Sequence, residues 1–181
     1  MASEADHSRF REVFLPHLDD AYRLARWLSG SRADAEDIVQ EASLRAMNGV
    51  GRFAAGNARA WALTIVRNTA YTWMSRNRPT AIVVMEDPAE MERAADGSVQ
   101  AAGLAPPTPE EVLIAKTDAA ALRRHVAALP AVFRDVLVLR EINELSYGEI
   151  AEMIDIPIGT VMSRLARARR MLLAAIGGRG P

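Results

Sequence analysis

Residues 79–109 divide this 181-residue chain in two, and that division limits the fold more than any other feature. The stretch holds five prolines and sustains no periodicity. Proline fixes φ and removes a backbone donor, so neither a helix nor a central strand runs through such a segment. It reads as a flexible linker, with at most a short helical patch near residues 89–95. Its acids Glu86, Asp87, Glu90, Glu92 and Asp96 face only Arg93, a net charge of −4 (one base less five acids). As a coil it would span roughly 30 Å, and fully extended about 100 Å. About 70 residues remain on each side, enough for two small domains that are marginally stable alone.

Both sides carry helical spacing and neither carries a strand pattern. Phe10, Phe14, Leu18, Ala21, Leu24, Ala25 and Leu28 form one apolar stripe that stops at Ser29-Gly30-Ser31. A second helix is expected from near Asp34, with carboxylates in its first turn as the helix dipole favours, running through Ile38, Val39, Ala42 and Met47 to Gly49. A third is expected over Ala58–Asn77, with Trp61, Ile65, Thr69 and Trp73 stacked four apart and Pro79 ending it. Beyond the linker, Thr108-Pro109-Glu110-Glu111 is a helix start. Leu113, Leu122, Val126 and Leu129 carry a stripe to Pro130, and Val132, Phe133, Val136, Leu137, Leu139 and Arg140 carry another to Asn143. Segments 146–154 and 158–176 complete the set. The predicted fold is all-α: a helical domain over residues 8–78, the acidic linker 79–109, and a second helical domain over 110–177.

The last two segments have the form of a helix-turn-helix. Ser146-Tyr147-Gly148-Glu149 is a capping box, a serine with a glutamate three residues on. Ile150, Ala151 and Ile154 face inward, Asp155-Ile156-Pro157 makes the turn, and Val161 and Leu165 pack the second helix on the first. Counted from Ala151, the turn falls four residues on (155 − 151) and Val161 ten on (161 − 151), the spacing of DNA-binding helix pairs. Aspartate at the turn tolerates the left-handed conformation better than most residues. The second helix carries Arg164, Arg167, Arg169 and Arg170 and no acid, with Thr160 and Ser163 near its start. In a major groove such N-terminal residues read base edges while later arginines grip phosphates. A solvated basic face is the bland alternative.

The formal charge of −1 hides a segregation of 22 bases and 23 acids. Residues 48–78 contain five arginines and no acid, interleaved with Phe53, Trp61, Tyr71 and Trp73. Cations for phosphates and ring faces for unpaired bases are what a single-stranded nucleic-acid site requires. Helix-spaced aromatics also build cores; Trp61 is expected there, while Tyr71 and Trp73 are left open. The loop over residues 51–57 is short enough to hold one flipped base.

Residues 34–47 reverse the sign, with four acids against Arg45. Asp34, Glu36, Asp37 and Glu41 have no histidine among them, and the chain offers no activated nucleophile or glycine-rich phosphate loop. No catalytic residue, metal site or cofactor is expected, and the acidic helix is read as a solvated N-terminus or a docking face for a basic protein. The absence of cysteine excludes disulfides and thiolate zinc sites. The first ten residues are polar and no apolar run approaches the roughly 20 residues of a membrane span, so a cytoplasmic protein without membrane insertion is expected.

Several runs of residues, on both sides of the linker, resemble a known family. Asp34-Ala35-Glu36-Asp37-Ile38-Val39-Gln40-Glu41 is similar to the core-polymerase-binding signature of bacterial sigma factors. Ala60-Trp61-Ala62-Leu63-Thr64-Ile65-Val66-Arg67-Asn68 resembles their promoter-melting helix. Leu129-Pro130 through Arg140-Glu141, then Leu145-Ser146-Tyr147-Gly148-Glu149-Ile150-Ala151, and Ile156-Pro157-Ile158-Gly159-Thr160-Val161 to Arg169, resemble their second conserved domain. A chain of this length has no room for the extra domains of housekeeping sigma factors, which indicates the extracytoplasmic-function (ECF) group. The resemblance implies a subunit that directs RNA polymerase to promoters. It assigns core-polymerase docking to Asp34, Asp37, Gln40 and Glu41, and recognition of an unpaired −10 strand to Arg52, Phe53, Asn57, Arg59, Arg67, Asn68 and Tyr71. Duplex −35 recognition falls to Pro157, Thr160, Ser163, Arg164 and Arg167. It implies as partners core RNA polymerase, promoter DNA and an anti-sigma protein. Asp155, Ala62 and Thr64 depart from the family's pattern and bear on promoter sequence. The rival reading is a stand-alone helix-turn-helix regulator that binds duplex DNA without polymerase.

Overall fold

The structure is a computed structural model, and it describes residues 4–77 and 119–177. The expected linker, its helical patch, the helix start at Thr108-Pro109, Leu113 and Arg78 lie outside the described residues. Those described are helical throughout, joined by turns, with no strand among them.

The apolar stripe expected as one helix is two. Helix α1 (Glu4–Val13) ends, a single 3-10 turn follows at Leu15–His17, and α2 runs over Leu18–Ser29. Pro16 sits in the first turn of that 3-10 segment. Its missing N–H and its ring cannot be fitted into a helix interior, so the chain breaks there while the stripe's inward face persists. Phe10 and Phe14 stack with centroids 5.1 Å apart, and Ala21, Leu24, Ala25 and Leu28 are fully buried.

Gly30 closes α2 with a left-handed φ of 71° and donates its N–H to the Arg26 carbonyl. Ser31 then caps α3 (Arg32–Gly49), its Oγ accepting from the Asp34 N–H. The serine cap starts α3 two residues ahead of the expected Asp34. Ala35, Ile38, Ala42 and Ala46 form its buried face, while Val39 and Met47 are half-buried. Helix α4 occupies Ala58–Asn77. Its buried face is Ala62, Val66, Ala70 and Met74, with Leu63 and Thr69 beside them, one residue round from the expected stripe. Alanines let α4 approach α2 and α3 closely, and the bulky Trp61, Ile65 and Trp73 flank that contact half-buried.

The second group comprises α5 (Ala119–Ala127), α6 (Ala131–Glu141), α7 (Tyr147–Ile154) and α8 (Ile158–Gly177). Helix α8 crosses the other three and buries Val161, Leu165 and Ala168 against a core containing Phe133, Val136, Leu139, Leu145 and Ile150. The Ser146–Glu149 capping box forms with both reciprocal bonds. Asp155 adopts φ 55° and ψ 55°, its N–H bonded to the Ala151 carbonyl, so the turn position is left-handed without glycine. This is the helix-turn-helix read from the spacing.

The two groups pack together, α2 against α5 and α6, and α4 against α7. A Cβ on Gly30 would stand 2.9 Å from the Ala127 Cβ, so the glycine serves the close approach as well as the cap. Arg134, only 4% exposed, donates to the Leu28 carbonyl at 3.1 Å and the Leu129 carbonyl at 2.8 Å. One guanidinium thus satisfies helix-end carbonyls from both groups, where the negative ends of helix dipoles favour a cation.

Candidate nucleic-acid interface

Helix α8 presents its N-terminus outward. Pro157 and Ser163 are exposed, Thr160 and Arg164 are half-exposed, and the Ser163 hydroxyl donates to the Thr160 carbonyl. The inward stripe of Val161, Leu165 and Ala168 turns these residues to the surface at complementary positions. The arginines differ in setting. Arg170 is exposed, Arg169 is paired with Glu141, and the Arg167 guanidinium lies 5.3 Å from the centroid of the buried Phe133 ring. Ile158 and Met162, 51% and 53% exposed, were not singled out from the sequence. Their signal was available: both fall outside the helix's inward stripe, and apolar side chains at such positions suit thymine methyl groups.

The second set of residues lies on and before α4. Asn57 starts that helix, its Oδ1 accepting from the Ala60 N–H at 3.0 Å, while its Nδ2 donates to Glu149 at 3.2 Å. Arg59 donates to the Asp20 carboxylate and to the Asn143 carbonyl, both at 2.6 Å. Arg67 makes two bonds to the same Asp135 oxygen, from Nε at 2.8 Å and from a terminal nitrogen. The Tyr71 hydroxyl donates to the other Asp135 oxygen at 2.8 Å, and the Arg67 guanidinium sits 5.2 Å from the Tyr71 ring centroid. Arg52 and Asn68 are exposed. Phe53 packs on Trp61 with centroids 5.0 Å apart, and Arg9 donates to its carbonyl.

Of the arginines in this second set, Arg67 is paired by Asp135 of the other helical group and Arg59 by Asp20 of α2. Burial of Arg67 opposes its charge, but Asp135 more than offsets that and holds the guanidinium above its ordinary value. Burial pushes the Tyr71 phenol well up, and the neighbouring Asp135 carboxylate adds to the effect. Asn57, Arg59, Arg67 and Tyr71 are therefore engaged by the second group, whereas no such contact is seen for Arg52, Phe53 or Asn68.

The acidic helix divides similarly. Asp34 is only 7% exposed, in the first turn of α3 behind the Ser31 cap. Asp37 and Gln40 are exposed and share a face with Leu44, which is 63% exposed. Glu41 is half-buried and paired with Arg45. Leu44 was missed because one leucine in an amphipathic helix reads as core until its neighbours are placed. Among the described residues no cluster of three or more potential metal ligands occurs, and no helix is long and apolar enough to cross a membrane.

Comparisons with known proteins bear on these two surfaces. Residues 13–80 match Sigma-70 region 2, and residues 119–172 match Sigma-70, region 4. The chain is 31% identical to the ECF RNA polymerase sigma factor SigE of Mycolicibacterium smegmatis, over 89% of this chain and 59% of that one. It is 32% identical to the ECF RNA polymerase sigma factor SigC of Mycobacterium tuberculosis, over 96% of this chain and 87% of that one. In fold it is similar to the sigma factor RpoE solved in complex with the anti-sigma factor NepR from Bartonella quintana, with a TM-score of 0.66 at 24% identity, covering 94% of this chain and 98% of that one. Two matched regions in the same order, the helix-turn-helix on the second, and relatives spanning nearly the whole chain lead to one conclusion: this chain belongs to the ECF RNA polymerase sigma factors.

Proposed function

We propose that the chain binds core RNA polymerase and directs it to promoters, acting as a non-enzymatic initiation subunit in the cytoplasm. The exposed N-terminus of α8 carries this reading furthest, since Pro157, Thr160, Ser163 and Arg164 stand together where a recognition helix meets base edges. They read the −35 duplex, and Arg167 supports them from beside Phe133. Arg52, Phe53, Asn57, Arg59, Arg67, Asn68 and Tyr71 engage the unpaired −10 strand, combining cations with ring faces. Asp37 and Gln40 dock on polymerase, with Leu44 supplying the apolar centre of that contact and the paired Glu41 at its margin. An anti-sigma protein is a further partner we propose, by likeness to the Bartonella quintana complex. The direct test is gel filtration of the chain with purified core polymerase. The two co-elute at equimolar stoichiometry if the reading is right, and the chain elutes alone while still shifting duplex DNA if it is a stand-alone regulator.

A further inference from the structure

Helix α1 carries none of the residues assigned to polymerase or DNA, yet it is fastened to the loop that leads into α4. A single 3-10 turn, Val50–Arg52, opens that loop, and the Phe53 N–H closes the turn on the Val50 carbonyl at 3.1 Å. The Phe53 carbonyl accepts from Arg9 of α1, 44 positions earlier in the chain. A guanidinium bonded to a backbone carbonyl is charge-assisted, and it fixes the peptide plane that it holds. Ring contacts run the same way. Phe10 stacks on Phe14, Phe14 meets Trp61 edge-on with centroids 6.5 Å apart, and Trp61 meets Phe53 at 5.0 Å. A Cβ on Gly51 would stand 3.1 Å from the Asp6 Oδ1, so the lack of a side chain at the turn admits α1 that closely.

The far end of the loop is anchored separately. Asn57 caps α4, its Oδ1 accepting from the Ala60 N–H at 3.0 Å. Between the two anchors stand Ala54, Ala55 and Gly56, all small and exposed, and a Cβ on Gly56 would meet nothing within 4 Å. The loop is thus a short open arch with both ends held, a shape that one unstacked base can enter. The Asn57 end belongs to α4 itself. The Phe53 end takes its position from α1, through one hydrogen bond and a row of rings.

We propose that α1 is a splint for this arch, and that Arg9, acting through the Phe53 carbonyl, is a positioning residue that sets how strongly the arch discriminates among bases at one −10 position. This rests on the −10 assignment of Arg52, Phe53 and Asn57, and it adds a residue from a helix outside that assignment. Specificity is a difference of affinities, and a site held in one shape penalises the wrong base because it cannot adjust to it. An arch freed at its Phe53 end adjusts to every base. Loss of Arg9 should therefore flatten base preference while the phosphate contacts, which come from other residues, persist.

The test has two readouts. In the full chain without polymerase, backbone 15N relaxation measures the order of residues 53–57. Arg9→Met keeps the side chain's length and helix preference and removes the donor. It should lower the order parameters there from about 0.85 to below about 0.6, with the melting temperature and the α4 interior unchanged. Arg9→Lys should recover most of the order, and Gly51→Val, which crowds Asp6 with Arg9 in place, should lose it. In the complex with core polymerase, fork-junction DNA randomised across the unpaired −10 strand is selected and sequenced. Arg9→Met should reduce the preference at one position from at least about tenfold to below about threefold, leaving the other positions and the salt slope as in the wild type, and Arg9→Lys should restore it. Order parameters unchanged in both Arg9→Met and Gly51→Val overturn the splint. A loosened arch with every base preference intact, or a uniform loss of affinity, overturns the positioning role. A wild-type complex that enriches no sequence counts against the functional reading, and the relaxation measurement still judges the splint by itself.

Discussion

Arg164 and Arg170 lie six residues apart on α8 (170 − 164), and their positions predict different losses. Arg164 sits near the helix start with Thr160 and Ser163, the part of the helix proposed to meet base edges. Arg164→Ala should cost about 1–3 kcal/mol of binding and relax specificity at one promoter position. Arg170, exposed two turns later, should act as a phosphate contact. Arg170→Ala should weaken all duplexes alike and reduce the salt slope by about one. Binding titrations over a set of promoter variants at several salt concentrations separate the two, and a uniform loss from Arg164→Ala contradicts its base-reading role. Asp37→Arg with Gln40→Arg places like charge on the outward face of α3 and should abolish co-elution with core polymerase while circular dichroism stays unchanged. Full retention of core binding removes the docking face from α3. The burial of Asp34 and the Glu41–Arg45 pair make Asp37 and Gln40 the sharper choice.

At the scale of elements, α7 depends on its first turn. Ser146→Ala removes the acceptor for the Glu149 N–H and should destabilise the second helical group by about 1 kcal/mol in thermal or urea unfolding. Glu149 accepts from the Ser146 backbone and hydroxyl, and these bonds hold its carboxyl below the ordinary 4.5. A group whose folded value is depressed contributes stability that is present above its unfolded value and is lost as pH falls through the folded one. Unfolding curves should therefore show an acid-side loss beginning near pH 4.5 and continuing below it, and Glu149→Gln should remove that component. An unchanged acid profile in Glu149→Gln would mean that other carboxylates carry it. These local devices were legible in the sequence because they are read within four residues: the capping box, the left-handed Asp155 and the bounds of α4 all follow from neighbours along the chain. Pro16 was as visible as they were, but a continuous apolar stripe masked it, since hydrophobic period reports the face of a helix and not its continuity. The rotation of α4's buried face by one residue has a similar cause. Tryptophan dominates any reading by size, whereas close helix crossing selects Ala62 and Ala70.

At the scale of the whole molecule, the candidate residues on each helical group could be read from sequence, and the seam between the groups could not. Asp135 and Asn143 read as ordinary residues of α6 and its exit; their roles arise from α4, which lies some 70 residues earlier (135 − 67 = 68). Long-range pairing of this kind leaves no periodic mark. It changes what the parts imply, because Asn57, Arg59, Arg67 and Tyr71, read separately as surface residues, are bonded to the second helical group. The account stands or falls on whether the parts work as one initiation subunit. Run-off transcription on genomic fragments, with core polymerase and mapped 5′ ends, measures this most directly. The account predicts discrete transcripts that appear only when the chain is present and whose start sites share upstream sequence at both the −10 and −35 positions. Transcription no different from that of core polymerase alone, with the chain bound to duplex DNA, would contradict it.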